Sequence, residues 1–183
     1  MNLAPTTRLT PLLLILMLNS AQLHPQANAA KKSILMAVSL VPNSGSGTQQ
    51  SFTAAVSDSE GYGDLYRVQI VIMSSNPNQS LANGCRAMYD NRVNRFFLIN
   101  DAGIDWLGPI NPNSSSTLQN SQCVLLGTGS SASRSGNTLT VTSKITFKSS
   151  YTGTKGLYVY ARNATINTGF VSMGNWTIPA HPH

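Results

Sequence analysis

An all-β antiparallel sandwich is the fold class this chain predicts, on three observations. Past residue 30 its apolar residues recur with a period of two, the runs are short, and each run is closed by Gly, Pro, Asn or Ser. A βαβ fold would need helical stretches between the runs, and no helix-period stripe is written there.

The first run places Ile34, Met36, Val38 and Leu40 on one face, expected to be the core face. Pro42-Asn43-Ser44-Gly45-Ser46-Gly47 ends it, and Phe52, Ala54 and Val56 mark the next strand. After Gly61-Tyr62-Gly63-Asp64 come Val68, Ile70 and Ile72, closed by Ser75-Asn76-Pro77-Asn78. Shorter candidates cover residues 86–89, 95–100 and 122–126, and 89–96 reads as a hairpin with a polar loop. The clearest strand is 138–148, where Leu139, Val141, Ile145 and Phe147 oppose Thr138, Thr140, Thr142, Lys144, Thr146 and Lys148. The set closes with 156–162, where Leu157, Val159 and Ala161 oppose Tyr158 and Tyr160, and with 171–178. Residues 108–116 form the longest Pro/Ser/Asn stretch and read as a surface loop. About eight to nine strands result, and a sandwich is preferred to a barrel.

Upstream, Arg8, the apolar run 11–18 and the small residues Ala27-Asn28-Ala29-Ala30 have the three parts of a secretory signal peptide, with cleavage expected after Ala29. The apolar run is too short to cross a membrane, which takes about 20 residues, so no membrane insertion is expected after cleavage. The organisation is then a signal peptide at 1–29, one domain at 30–180 and a flexible tail at 181–183. The expected location is secreted or periplasmic. The formal net charge is +6, but the bases are scattered singly apart from Lys31-Lys32. Nucleic-acid binding needs a clustered basic stripe, so no nucleic-acid partner is expected.

Cys85 and Cys123 sit in small polar cassettes, Asn83-Gly84-Cys85 and Asn120-Ser121-Gln122-Cys123. In an exported chain a pair of cysteines reads as a disulfide; the alternative is two separate buried thiols. The bridge would join the strand near Arg86 to the strand near Val124.

The order of segments resembles an uncharacterised immunoglobulin-like β-sandwich domain of secreted bacterial proteins. The resemblance spans residues 33–178 and rests on Pro42-Asn43-Ser44-Gly45-Ser46-Gly47, on Ser57-Asp58-Ser59-Glu60-Gly61-Tyr62-Gly63-Asp64-Leu65, and on the two cysteine cassettes. It continues through Asn100-Asp101-Ala102-Gly103, Trp106-Leu107-Gly108, Ser135-Gly136-Asn137 and Gly153-Thr154-Lys155-Gly156. It implies an immunoglobulin-like sandwich and no reaction. The chain departs from that pattern at Ser59-Glu60, where the family often has Pro-Asn, and at Asn163, where it tends to carry an acid.

Catalysis is not expected. The histidines are His24 in the leader and His181 and His183 in the tail, a poor place for a triad base. No Gly-x-Ser-x-Gly elbow is present. Asp58, Glu60 and Asp64 share one Gly-rich turn and form a weak calcium candidate, since hard cations take several oxygens from such loops; no other cofactor is expected. Trp106, Tyr62, Tyr66 and Trp176 are the candidate ligand contacts, because aromatics gather at binding surfaces. The expected role is a non-catalytic module for adhesion, spacing or protein interaction, the alternative being carbohydrate binding through exposed aromatics. The partner is thus a protein or a polysaccharide.

Overall fold

A computed structural model of the chain describes Met1, residues 33–74 and residues 76–180. Apart from Met1, the segment 1–29 expected to be a leader lies outside the described residues, as does 181–183 with His181 and His183. The described residues from 33 onward belong to one compact unit, Lys32–His183.

The period-two runs form two sheets. One has five strands: β1 (Leu35–Val41) at an edge, then β3 (Gln49–Asp58), β10 (Thr138–Phe147), β9 (Cys123–Ser135) and β8 (Thr117–Gln119). The other has seven, in the order β2 (Ser44–Ser46), β12 (Val171–Ile178), β11 (Gly153–Asn163), β4 (Leu65–Met73), β5 (Cys85–Asp90), β6 (Arg95–Ile99) and β7 (Trp106–Ile110). Neighbours are antiparallel except β2, which lies parallel to β12. Phe52, Ala54 and Val56 of β3 and Leu139, Val141, Ile145 and Phe147 of β10 share one core with Val68, Ile70 and Ile72 of β4 and Leu157, Val159 and Ala161 of β11. Burying each large side chain of this kind stabilises the fold by about 1.5–3 kcal/mol.

Among the described residues there are twelve strands, more than the eight to nine expected. The additional ones are β2, β7 and β8. Three-residue β2 and β8 are too short to show alternation. Strand β7 contains Gly108-Pro109, so part of the stretch expected to be loop is strand. Proline is tolerated there because β7 is an edge strand and needs no outward N–H.

The expected face of β1 is overturned. Ile34, Met36 and Val38 are more than half exposed, while Leu35 and Ala37 pack on the core and Leu40 is buried. A register shift between Ala37 and Ser39 leaves Val38 without a partner on β3 and reverses the parity beyond it. One extra residue moves every later side chain to the other face.

The disulfide is formed. Cys85 opens β5 and Cys123 opens β9, so the bond links the two sheets, with the Cα atoms 5.7 Å apart. Asn120 fastens the same corner: its Nδ2 donates to the carbonyls of Gly84 and Ile99, and its Oδ1 accepts from the N–H groups of Gln122 and Cys123.

Candidate functional site

The outward face of the seven-stranded sheet is less polar than a solvated face. Val71, Met73 and Met88 point outward and are still buried. The 76–84 connection folds back here, with Gly84 against Met73, and Asn83 N–H donating to the Asp101 carbonyl joins it to the 100–105 turn. These loops wall off part of the sheet and leave a trough beside them.

Arg86 lies at the centre of that trough. Alternation in β5 turns Cys85, Ala87 and Tyr89 to the core and Arg86 outward, opposite Val71 of β4. Its Nε–H donates to Gln69 Oε1 at 2.6 Å. Its guanidinium lies 4.8 Å from the Trp106 ring centroid and 5.5 Å from that of Phe170. Phe170 in turn stands 5.2 Å from Tyr160, which is paired with Gln69 across β11 and β4. Only 8% of Arg86 is exposed. Burial pulls its guanidinium down to about 10, with Tyr160 acting the other way, and the group stays charged at neutral pH. Its two Nη groups make no hydrogen bond among the described residues, although Arg86 lines the cleft.

A second group of bases adjoins the first. Arg67 of β4 and Arg162 of β11 are directly opposite on neighbouring strands, an arrangement that costs stability. Asp90 of β5 relieves Arg67 on its other side, where Oδ2 accepts from Arg67 Nε at 3.4 Å and from Arg92 Nη2 at 2.9 Å. Arg92 lies over the Tyr66 ring, 4.6 Å from its centroid. Arg162 is exposed, and its side chain has no ion pair or hydrogen bond among the described residues. Two open clefts result, of about 300 Å³ around Arg86 and about 260 Å³ beside Tyr66, and Arg67 and Arg162 line both. Together they make a trough lined by four arginines, two of which, Arg67 and Arg92, share the carboxylate of Asp90.

No family model, curated protein or solved structure matches the chain. The reading of the trough therefore rests on its own chemistry.

Burial pushes the Asp90 carboxyl up, but hydrogen bonds from the Arg92 side chain and backbone and from Arg67 outweigh it and hold the group below the ordinary carboxylate range. A depressed native value stabilises the fold fully above the unfolded value of about 3.9, and that stability is lost as pH falls through the native value. Acidification from pH 5 to about pH 2.5 should therefore lower the melting temperature of the wild type more than that of Asp90→Asn. Equal losses in the two proteins would remove Asp90 from the acid response.

The other expected residues fall in different places. Trp106 and Tyr66 are at the trough. Tyr62 is exposed on a short 3-10 turn (Tyr62–Asp64), where its N–H donates to the Gly136 carbonyl and its own carbonyl accepts from Asn91. Trp176 belongs to the core: it is 5% exposed, lies 5.4 Å from Phe52 and donates Nε1–H to the Gly47 carbonyl. Alternation in β12 puts it inside together with Ile178.

The calcium candidate is not gathered into one ligand set. Asp58 is wholly buried and its carboxylate accepts from Ser33 Oγ, Asn163 Nδ2 and the Glu60 N–H, while Glu60 is exposed. Among the described residues no group of three or more His, Cys, Asp or Glu is placed to hold a metal ion. Alternation in β3 turns Asp58 inward with Phe52, Ala54 and Val56, and Asn163, standing where the resemblance leads one to expect an acid, donates to it there.

Arg86, Gln69 and Phe170 were not among the expected site residues. A signal existed for Arg86, a lone charge inside Cys85-Arg86-Ala87-Met88-Tyr89, but none for Phe170, which lies outside any strand.

Proposed function

We propose that this chain is a non-catalytic interaction module, an exported immunoglobulin-like sandwich of the kind found in secreted bacterial proteins, which holds a partner on the outward face of its seven-stranded sheet. The observation that carries this reading is Arg86, held among Trp106, Phe170 and Gln69 with its Nη groups unengaged. A largely buried guanidinium whose Nη groups the fold leaves unengaged is a costly feature for a surface with no partner. The disulfide suits an oxidising compartment, and among the described residues no helix is long and apolar enough to cross a membrane. The two buried acids, Asp58 and Asp90, are engaged by donors of the fold itself and are poorly placed to serve as a general acid and base.

Arrays of extracellular polysaccharides and of short peptides, probed with the full chain, test the reading. Retention on peptides should fall about tenfold in Trp106→Ala, which removes an aromatic wall of the trough, and stay unchanged in Tyr62→Ala. Retention on polysaccharides alone would move the reading to carbohydrate binding, which the rings beside the cleft also favour. No retention on either array would overturn the assignment of this face.

A further inference from the structure

We infer that the partner segment is an extended acidic peptide with acids at alternate positions, one carboxylate held by the Nη groups of Arg86 and the next by Arg67 and Arg162. The inference rests on the reading of this face as the binding surface and adds the chemistry of the ligand.

The fork of Arg86 is already oriented. Gln69 takes the Nε–H, so the guanidinium is fixed in its plane and its Nη edge remains for an acceptor. A planar pair of donors matches the two oxygens of a carboxylate, and such charge-assisted bonds are about twice as strong as neutral ones. Trp106 and Phe170 flank the guanidinium, and the lower polarity beside the rings strengthens such a pair. The rings are engaged in this work: Trp106 and Phe170 flank the guanidinium, and Tyr160 packs on Phe170. They act as walls for a small charged group more than as platforms for a sugar ring, which favours a peptide over a polysaccharide.

Spacing supplies the alternation. The head of Arg86 is bound at Gln69, two residues along β4 from Arg67, which faces Arg162. Two residues of strand span about 7 Å, and side chains on one side of an extended peptide repeat at the same interval of about 7 Å. The acids of an acid-x-acid segment therefore meet the two basic centres in register. Arg162 has no counter-ion among the described residues, and Arg67 shares Asp90 with Arg92, so the trough has charge left for an anionic segment. The direction of charge and the recognition of acidic motifs by arginine clusters agree.

The test uses the full chain and fluorescein-labelled nine-residue peptides of equal composition, read by anisotropy at physiological salt. The peptide with Glu at alternate positions should bind about tenfold more tightly than its Gln counterpart, and several-fold more tightly than the one with adjacent Glu. Arg86→Lys keeps the charge and loses the planar fork, so it should weaken the alternating peptide about tenfold, with its circular dichroism spectrum unchanged. Arg162→Gln alters an exposed side chain and should weaken the same peptide several-fold with no loss of fold. Lys148→Met, just past the end of β10 and bonded to Gln119 of β8, should leave binding as it was. Equal affinity for alternating and adjacent Glu, or an unaltered affinity in both arginine variants, would overturn the inference. So would stronger competition by a galacturonate oligomer or a single-stranded DNA oligomer than by the alternating peptide. Selection of neutral peptides that still depend on Trp106 would end the acidic-ligand inference and leave the binding face standing.

Discussion

Replacing Cys85 and Cys123 together by Ala should lower the unfolding free energy by about 4 kcal/mol, measured by urea denaturation of the unreduced proteins. The bond closes a loop with a sequence separation of 38, for which the chain-entropy model gives about 4 kcal/mol at 25 °C. Domains have only about 5–15 kcal/mol in total, so the loss is a large share. Both cysteines are wholly buried, and the closed segment includes β5, β6, β7 and β8, which carry Arg86 and Trp106. Reduction of the wild type should give the same shift, whereas the double variant should not respond to reductant. Amides of β5 and β7 should then exchange faster than those of β3 and β10, because the second pair lies outside the closed loop. A shift under about 1 kcal/mol would mean that Asn120 and the shared core hold the corner without the bond.

Legibility followed the physics of alternation. Strands β3 and β10 were plain because each buries one face, so burial alternates along them and the apolar residues follow it apart from Ala55, Asp58 and Ser143. Strand β4 was half legible: Val68, Ile70 and Ile72 announced the inner face, but Gln69, Val71 and Met73 are also buried, Gln69 bound to Arg86 and Met73 against Gly84 of the 76–84 connection. No pattern within β4 encodes those contacts. For β1 the sequence is apolar at both parities, Leu35 and Ala37 against Met36 and Val38, and only the irregular residue Val38 decides between them. The trough was the least legible feature. Arg86, Gln69 and Tyr160 come from three strands and meet through pairing register, a long-range property that local spacing does not contain. The disulfide was legible because two cysteines allow one pairing.

Trp176→Ala should cost about 3–5 kcal/mol, comparable to losing the disulfide, while Trp106→Ala should leave stability within about 1 kcal/mol of the wild type. The two tryptophans separate by burial. Trp176 fills the core beside Phe52, edge to face at 5.4 Å, and its Nε1–H is satisfied by the Gly47 carbonyl at 3.0 Å. Its room is made by Gly45, at a φ of +137°, where an added Cβ would stand 2.6 Å from the indole Cζ3. That close approach brings the 44–46 backbone beside β12 as its parallel neighbour. Truncation leaves a cavity, an unpaired Gly47 carbonyl and a loosened β2, each adding to the loss. Trp176→Phe should recover most of the packing and still cost about 1 kcal/mol for the hydrogen bond. Urea denaturation of the variants measures the difference, and anisotropy with the alternating Glu peptide supplies the crossed control. Folded Trp176→Ala should bind as the wild type does, and Trp106→Ala should not. A Trp176→Ala cost below about 1 kcal/mol would place this indole outside the core and return it to the surface residues available for a ligand.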